Sequence, residues 1–505
     1  MSTKVIVTNF SALSEKYGAA GLKDIKSALD RLIKADAARE LQTKVISLDS
    51  TAAMKKVKGK VVGSATSERD TKIAIDAICK SLEPAYLVIL GSADVVCHIK
   101  LNNPLNTDSD ADNDDDDPDV PSDLPYTCDA SFSRDIATFL GPTRVMGRIP
   151  DITGGTDASE LVRLLDQSAK SKPGSKADYA KPFSITASVW KGSTAESVEN
   201  IFGPGHATVN SPPPGHPGIN PKLKARSWFI NCHGAKADPK FYGEGPPRTF
   251  ADAMESSKIA GKITSGTVIA AECCYGAELY DVQLAGTATP ISNQALLSGA
   301  IGYVGATTIA YGPAAGNGAA DLITQFFLIR VLGGASLGRS FLQAQHQFIQ
   351  RESMSDPVNL KTIGQFLLLG DPSLQACESE AKQMKTVDED IAVIRRRVAL
   401  AGQGKALKAA ATFPVRLRAR LSALKEKPIA RLVKRLGYRL ENAEEFKVDG
   451  GPEARAAMKA KDFVERVVTV TKSHKVANAP QKLISVLVAR TSGNSVISYK
   501  EYVSR

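Results

Sequence analysis

Two apolar runs that end in reactive side chains constrain this chain more than any other feature. The run 228–231 is followed closely by His233, and the run 267–271 by Cys274, which lies 41 residues after the histidine. In an open parallel sheet, residues just past the carboxyl ends of neighbouring strands meet in one crevice. A lone buried cysteine is usually a small apolar residue. Together, at equivalent strand ends, the two indicate a thiolate–imidazole pair, the minimal apparatus for nucleophilic acyl transfer.

The first 377 residues alternate between strand-like and helix-like segments. Val5–Thr8, Lys44–Leu48 and Tyr86–Gly91 have the pattern of buried strands, and Gly21–Glu40 and Asp70–Leu82 that of helices between them. This order predicts an α/β fold in which helices cover both faces of a mostly parallel sheet, an α/β/α sandwich.

Three parts are predicted along the chain. The Lys-rich stretch 170–181 separates an N-terminal α/β subdomain, residues 1–170, from a second α/β subdomain, residues 182–377. Residues 378–505 are predicted to form a separate basic module of α+β type. Its Lys-, Arg- and Leu-rich sequence predicts helix over Pro414–Leu440, and apolar runs near the end of the chain predict strands.

The net charge of +10 is concentrated in the C-terminal module. Residues 378–505 contain 27 Lys and Arg against 14 Asp and Glu, a net charge of +13, so the preceding residues carry −3. Such a module suits an acidic protein partner, nucleic acid or simply a solvated helical face. Because no RRM, KH or helix-turn-helix signature is present, nucleic-acid binding is the least favoured of these.

The composition predicts a cytoplasmic protein with no membrane span. No stretch approaches about 18 uncharged apolar residues, and the N-terminus runs into a strand-like segment without a secretory leader. The seven cysteines are odd in number and contain no CxxC pair. This argues against a disulfide framework or zinc ribbon and for a reducing compartment.

An acidic insert at Asp108–Asp117 is the one candidate metal site. Carboxylates at 108, 110 and 112 resemble the start of a calcium loop, but Asn113 stands where such a loop has glycine, and no bidentate Glu follows. We therefore expect mainly a solvated loop, with Ca²⁺ binding as the alternative. No cofactor or other metal site is expected.

The residues around the cysteine suit a nucleophile. Glu272 ends the strand, Cys274 sits in the turn, and Gly276 is expected to let the backbone bend sharply. Turn amides beside the sulfur would lower the thiol pKa and could hold an oxyanion. Gly234, directly after His233, would leave room for substrate and could offer a second backbone N–H.

These motifs resemble the caspase-like cysteine peptidases, a superfamily that includes caspases, metacaspases, legumains and gingipains. The segment Glu272–Gly276 sits like the caspase Gln-Ala-Cys-Arg-Gly signature. Three further segments resemble landmarks of the gingipain-type branch: Leu87–Asp94, Gly147–Asp151 and Leu369–Leu374. The resemblance covers roughly residues 1–377 and implies a gingipain-type, caspase-like sandwich in two subdomains.

Which cysteine is the nucleophile stays open at this point. Alignment on Cys-x-Gly, as in caspases, selects Cys274, and alignment on Cys-x-x-Gly, as in legumains, selects Cys273. Alternation along a strand sends the two side chains to opposite faces, so they cannot both serve. Cys274 is preferred because the acid two residues earlier then matches the metacaspase pattern.

In that pattern the acid lines the pocket for the P1 side chain of the substrate. The resemblance therefore implies that Glu272 accepts Arg or Lys, because a carboxylate can pair bidentately with guanidinium. The alternative is an ordinary strand-end Glu in solvent.

The sequence as a whole favours a cysteine endopeptidase with a His233–Cys274 dyad. The resemblance implies cellular protein substrates, a role in signalling or bacterial defence, and a regulatory or activating protein. Basic stretches indicate self-cleavage after Arg or Lys. The alternative is a catalytically silent adaptor that keeps the fold as an interaction platform.

Overall fold

The computed structural model describes residues 2–106, 115–378, 413–416, 428–449, 465–492 and 495–505. Its strands, in chain order, are β1 (Ser2–Thr8), β2 (Leu41–Ser47), β3 (Tyr86–Leu90), β4 (Ile99–Asn102), β5 (Asp119–Ser122), β6 (Met146–Ile149), β7 (Phe183–Ala187), β8 (Val209–Ser211), β9 (Ser227–Asn231), β10 (His233–Gly234), β11 (Lys240–Gly245), β12 (Thr249–Glu255), β13 (Thr267–Ala271), β14 (Ala300–Ala306), β15 (Tyr311–Pro313), β16 (Phe366–Gly370), β17 (Phe413–Arg416), β18 (Ala443–Asp449), β19 (Glu465–His474), β20 (Leu483–Ser492) and β21 (Ser495–Ser504).

The helices are α1 (Phe10–Ala38), α2 (Thr51–Lys56), α3 (Glu68–Leu82), α4 (Ala158–Lys170), α5 (Lys176–Tyr179), α6 (Lys191–Phe202), α7 (Ser256–Ile259), α8 (Val282–Ala285), α9 (Ile291–Leu297), α10 (Ala320–Leu332), α11 (Leu337–Arg351), α12 (Pro357–Gln365) and α13 (Pro428–Arg435). Within the described ranges, no helix is both long and apolar enough to cross a membrane.

A ten-stranded sheet with the order β2-β1-β3-β6-β16-β14-β13-β9-β7-β8 forms the centre of the molecule. Strands β2, β1, β3, β6 and β16 are parallel to one another, and so are β14, β13, β9, β7 and β8. The two halves run in opposite directions because β14 pairs antiparallel with β16. The sheet is thus mostly parallel, which confirms the predicted α/β class.

Central strands of this sheet are buried along almost their whole length because helices cover both faces. Every residue of β13, and all but the first of β3, is buried. Helix α10 is buried almost all round, whereas α1 turns an apolar stripe that includes Ile25, Leu29 and Leu32 to the sheet. The strand ends that carry chemistry are therefore fixed by a rigid core.

The predicted subdomains contribute to one continuous sheet. Strand β16, from the range 182–377, lies beside β6 of the range 1–170. The boundary at 170–182 stays a prediction.

The C-terminal module forms a second sheet that borrows a strand from the first region. Its order is β15-β21-β20-β19-β18-β17, and α13 packs Ile429 and Val433 onto apolar residues of β19 and β20, including Val470 and Leu487. The helix predicted from Pro414 is wrong at its start, because Phe413–Arg416 is a strand. This strand lies at the sheet edge, where a proline is tolerated.

Candidate active site

His233 and Cys274 follow neighbouring parallel strands in equivalent positions. Ile230 of β9 lies opposite Ala271 of β13, and each candidate comes three residues after its member of that pair. Gly234 lies against the same turn, since a Cβ added to it would be 1.8 Å from the carbonyl oxygen of Cys274. The structure thus brings these three residues together, and any side chain at 234 would displace the cysteine turn.

Cys273 and Cys274 have different surroundings. Cys274 Sγ accepts a hydrogen bond from Ala310 N at 3.2 Å and lies 3.4 Å from Ala310 O. Cys273 is fully buried, and its thiol pKa is raised well above the usual value by burial and by the neighbouring Cys232. Burial also raises the pKa of Cys274, to about 12. Burial thus favours the thiol form of both cysteines, and Ala310, which contacts Cys274 Sγ, also accepts a hydrogen bond from Arg505 N.

The turn after the cysteines contains an unusual backbone conformation. Tyr275 has φ of +54°, a left-handed conformation that is uncommon for a residue with a side chain and occurs often at functional sites. Its amide donates to Thr308 O at 3.0 Å and its hydroxyl to Asp117 at 2.8 Å. The bend expected of Gly276 is therefore made by Tyr275. Gly276 serves close packing, because a Cβ there would be 3.0 Å from Cys273 O.

A carboxylate that the sequence analysis missed orients His233. His233 Nε2 lies 2.8 Å from Glu244 Oε2 of β11, while His233 Nδ1 is buried without a hydrogen-bond partner among the described residues. Burial lowers the pKa of His233 despite the opposing effect of Glu244. A neutral imidazole with its proton on Nε2 leaves Nδ1 free to accept a proton.

A deep pocket beside the cysteine turn contains Arg505. The side chain of Arg505 is fully buried, and its Nη2 lies 3.1 Å from Asp321 Oδ1 and 3.3 Å from Oδ2. The guanidinium lies over the ring of Trp190, 4.5 Å from its centroid. Gly312 makes the floor, since a Cβ there would be 2.1 Å from Arg505 Nε. Asp321, Trp190 and Gly312 thus surround the guanidinium, whose Nε and Nη1 are buried without a hydrogen-bond partner among the described residues.

Glu272 lies in this pocket and not in solvent. It is fully buried, and its Oε1 accepts a hydrogen bond from Thr324 Oγ1 at 3.2 Å. Burial and the neighbouring Asp321 raise the pKa of Glu272 well above its ordinary value. Its Oε2 has no hydrogen-bond partner in the described part of the chain. Asp321 is therefore the direct ion-pair partner of Arg505, with Glu272 as a second acid behind it.

The backbone of Arg505 meets the cysteine turn. Cys274 N donates to Arg505 O at 3.2 Å, and Gln481 Nε2 donates to the same oxygen at 3.3 Å. Arg505 N in turn donates to Ala310 O at 2.9 Å. Two N–H groups that converge on a carbonyl oxygen beside a thiol have the geometry of an oxyanion hole.

The end of the acidic insert supports this site from behind. Asp115 and Asp117 are buried and pair with Lys361 at 2.5 and 3.5 Å, and Ile309 N donates to Asp117 at 2.9 Å. This part of the insert is therefore not the solvated loop that we expected. Positions 108, 110 and 112, the candidate calcium ligands, lie outside the described residues. Among the residues that the structure describes, no cluster of His, Cys, Asp and Glu could hold a metal ion.

Several site residues had only weak sequence signals. Asp321 is the single acid in the first turn of an otherwise apolar helix, a pattern that could have drawn attention to it. Trp190, Gly312, Gln481 and Arg505 come from distant segments that only the fold brings together.

One of the comparisons with known proteins, the family match, agrees with the motifs. Residues 247–376 match the model of Peptidase family C25, a range that includes Cys274. One solved structure, described as "Structure of Protease", aligns over 99% of this chain and 96% of its own length at 12% identity, with a TM-score of 0.48. No curated protein matches the chain. The family match confirms the predicted resemblance to the gingipain-type branch and supports a cysteine peptidase with protein substrates.

Proposed function

We propose that this protein is a cysteine endopeptidase that cleaves polypeptides after Arg, with Lys as the weaker alternative. The observation that carries the proposal is the position of Arg505. Its guanidinium is paired with Asp321, and its carbonyl oxygen accepts from Cys274 N. A basic side chain in an acidic pocket, with its carbonyl beside a thiol, is the arrangement that cleavage after a basic residue requires.

In the proposed reaction, Cys274 Sγ attacks the carbonyl carbon of the P1 residue as its proton passes to His233 Nδ1. The amide N–H of Cys274 and the Gln481 side chain stabilise the oxyanion of the tetrahedral intermediate. His233 then gives its proton to the leaving amine, and a thioester remains on Cys274. Water attacks the thioester with His233 as base, which releases the carboxylate product and restores the thiol. Glu244 holds the imidazole in the required tautomer.

Asp321 and Glu272 together set the P1 preference in this proposal. Arg fits better than Lys because Trp190 offers a flat face to the planar guanidinium, which an ammonium uses less well.

We also propose a reducing, cytoplasmic setting and a regulated role in signalling or defence. All seven cysteines are unpaired in the structure, which suits such a compartment. The closed state of the pocket suits control by an activating protein.

The test is hydrolysis of the fluorogenic peptide acetyl-Tyr-Val-Ser-Arg-aminomethylcoumarin, followed by labelling with an Arg-directed acyloxymethyl ketone. Because Arg505 fills the pocket, each variant is assayed in the wild-type chain and in Arg505→Ala. Cys274→Ala should lower kcat/KM about a thousandfold or more and abolish labelling, whereas Cys273→Ala should retain both.

The outcomes separate the alternatives. Loss of activity in Cys273→Ala but not in Cys274→Ala would identify Cys273 as the nucleophile. If neither the wild type nor Arg505→Ala cleaves or reacts, the protein is the silent adaptor instead. A matched peptide with Asp in place of Arg serves as the control for P1 preference and should not be cleaved.

A further inference from the structure

The last strand of the chain lies in the groove where the proposed peptidase would bind its substrate. Strand β21 pairs antiparallel with β15, with Ser504 opposite Tyr311 and Tyr502 opposite Pro313. Ala314 N donates to Glu501 O at 2.9 Å, which extends this ladder. An extended peptide added to a strand edge, with alternate side chains in pockets, is a common mode of peptide recognition.

The side chains of this segment fit the groove in substrate register. With Arg505 at P1, Tyr502 takes the P4 position. It is buried, and its hydroxyl donates to Asp356 Oδ2 at 2.7 Å. Ser504 is buried at P2, where Ser504 Oγ accepts from Ile484 N at 3.0 Å. The segment is therefore held at both ends, by Asp321 and by Asp356.

The segment is also tied to the rest of its module. On its other side, β21 pairs with β20, for example Val503 with Ser485. A tethered segment acts at an effective concentration in the millimolar range for a short linker. A free peptide with the same contacts must exceed that concentration to enter, so the tethered strand competes strongly with substrate.

We propose that residues 502–505 act as a built-in occupant of the peptide groove, an inhibitory segment that must withdraw before a protein substrate can bind. The inference rests on the proposed function, which identifies the groove as the substrate-binding site, and it adds two points to that function. The resting enzyme is self-blocked, and the preferred substrates carry Arg at P1 and an aromatic hydroxyl at P4. An activating partner would act by drawing these four residues out, while residues earlier in β21 keep their pairing with β20.

A binding experiment tests this without catalysis. The probe is acetyl-Tyr-Val-Ser-Arg with a free carboxylate, titrated calorimetrically into wild type, Arg505→Ala and Tyr502→Phe. Arg505→Ala empties the acidic pocket and should bind the probe at least about tenfold more tightly than wild type. Tyr502→Phe loses only the bond to Asp356 and should be intermediate. Arg439→Ala, an exposed arginine of the same module, should match wild type.

Equal affinity of wild type and Arg505→Ala would overturn the proposal. So would failure of Arg505→Ala to bind the probe while its melting temperature equals that of wild type. The proposed function fails separately. If Arg505→Ala binds the peptide but neither it nor wild type hydrolyses the coumarin substrate, the groove and its occupant stand and the catalysis does not. If wild type hydrolyses as fast as Arg505→Ala, catalysis stands and self-blocking falls.

Discussion

The carboxyl edges of the two halves of the large sheet hold Asp151 on one side and His233 and Glu272 on the other, and these residues differ in how fully they are hydrogen-bonded. Just past β6, Asp151 accepts from Ser92 N at 2.6 Å through one oxygen, and from Lys16 at 2.7 Å and Tyr17 at 2.6 Å through the other. Just past β9 and β13, His233 Nδ1 and Glu272 Oε2 are buried without partners among the described residues.

This difference distinguishes a charged residue that stabilises the fold from the residues that we propose for catalysis and substrate binding. Buried polar groups normally find partners because an unmet hydrogen bond costs about 1–3 kcal/mol. Asp151 obeys this rule and belongs to the landmark 147–151, whose part here is to fix the sheet. At the second edge, His233 Nδ1 and Glu272 Oε2 have no such partner, and both residues have a role in the proposed function. An unpartnered oxygen alone does not mark a site, since Asp94 Oδ1 at the first edge also has no partner among the described residues; at the second edge it is the neighbouring thiol that gives the unpartnered groups a proposed use.

The largest effect is expected at Asp151, at the first of these edges. Asp151→Ala leaves Lys16 without one of its two carboxylates and frees the Ser92 amide, so it should lower the free energy of unfolding by about 3–5 kcal/mol. Urea denaturation measures this loss, and kcat/KM per folded molecule should not change. A stable Asp151→Ala with impaired hydrolysis would show that the first edge takes part in catalysis.

The next largest effect is expected in the acidic pocket. In the Arg505→Ala protein, Asp321→Asn removes the direct partner of the P1 guanidinium and should lower kcat/KM for the Arg substrate about a hundredfold. Glu272→Gln should cost less, about tenfold, because Glu272 lies behind Asp321 and burial favours its neutral form. Steady-state kinetics with matched Arg and Lys substrates measures both.

The reverse ranking would identify Glu272 as the main partner of the P1 side chain, as the resemblance to metacaspases implies. Unchanged P1 preference in both variants would contradict the proposal that this pocket binds the P1 side chain. Melting temperatures of the two variants serve as the control for folding.

Whether a feature could be predicted from the sequence depends on how far apart along the chain the interacting residues lie. Strand ends at 233 and 274 were predictable because apolar runs and their terminating residues are local, and parallel pairing then places them side by side. The choice between Cys273 and Cys274 depends on the surroundings of each sulfur, which include Ala310 and Cys232 from other segments of the chain.

The rest depended on contacts between distant segments. Gln481 and Arg505 reach the cysteine turn only because β21 inserts between β15 and β20. The acidic insert looked solvated because its partner, Lys361, lies more than 240 residues away in the chain. Nothing in the local pattern of either segment indicates its partner.

The last prediction, and the sharpest test of that long-range assembly, concerns the second donor to the oxyanion. The sequence pointed to the amide of Gly234, whereas the structure has Gln481 Nε2 at 3.3 Å from Arg505 O. In the Arg505→Ala protein, Gln481→Ala should lower kcat about tenfold to a hundredfold, below the full value of an ideal donor because the bond is long. KM should change little, since the donor acts mainly on the charge of the transition state. Gln481→Glu, which repels an oxyanion at the same position, should lower kcat further. If both variants keep the full kcat, the donor is Gly234 N–H, and the C-terminal module contributes the groove's occupant but no part of the catalytic machinery.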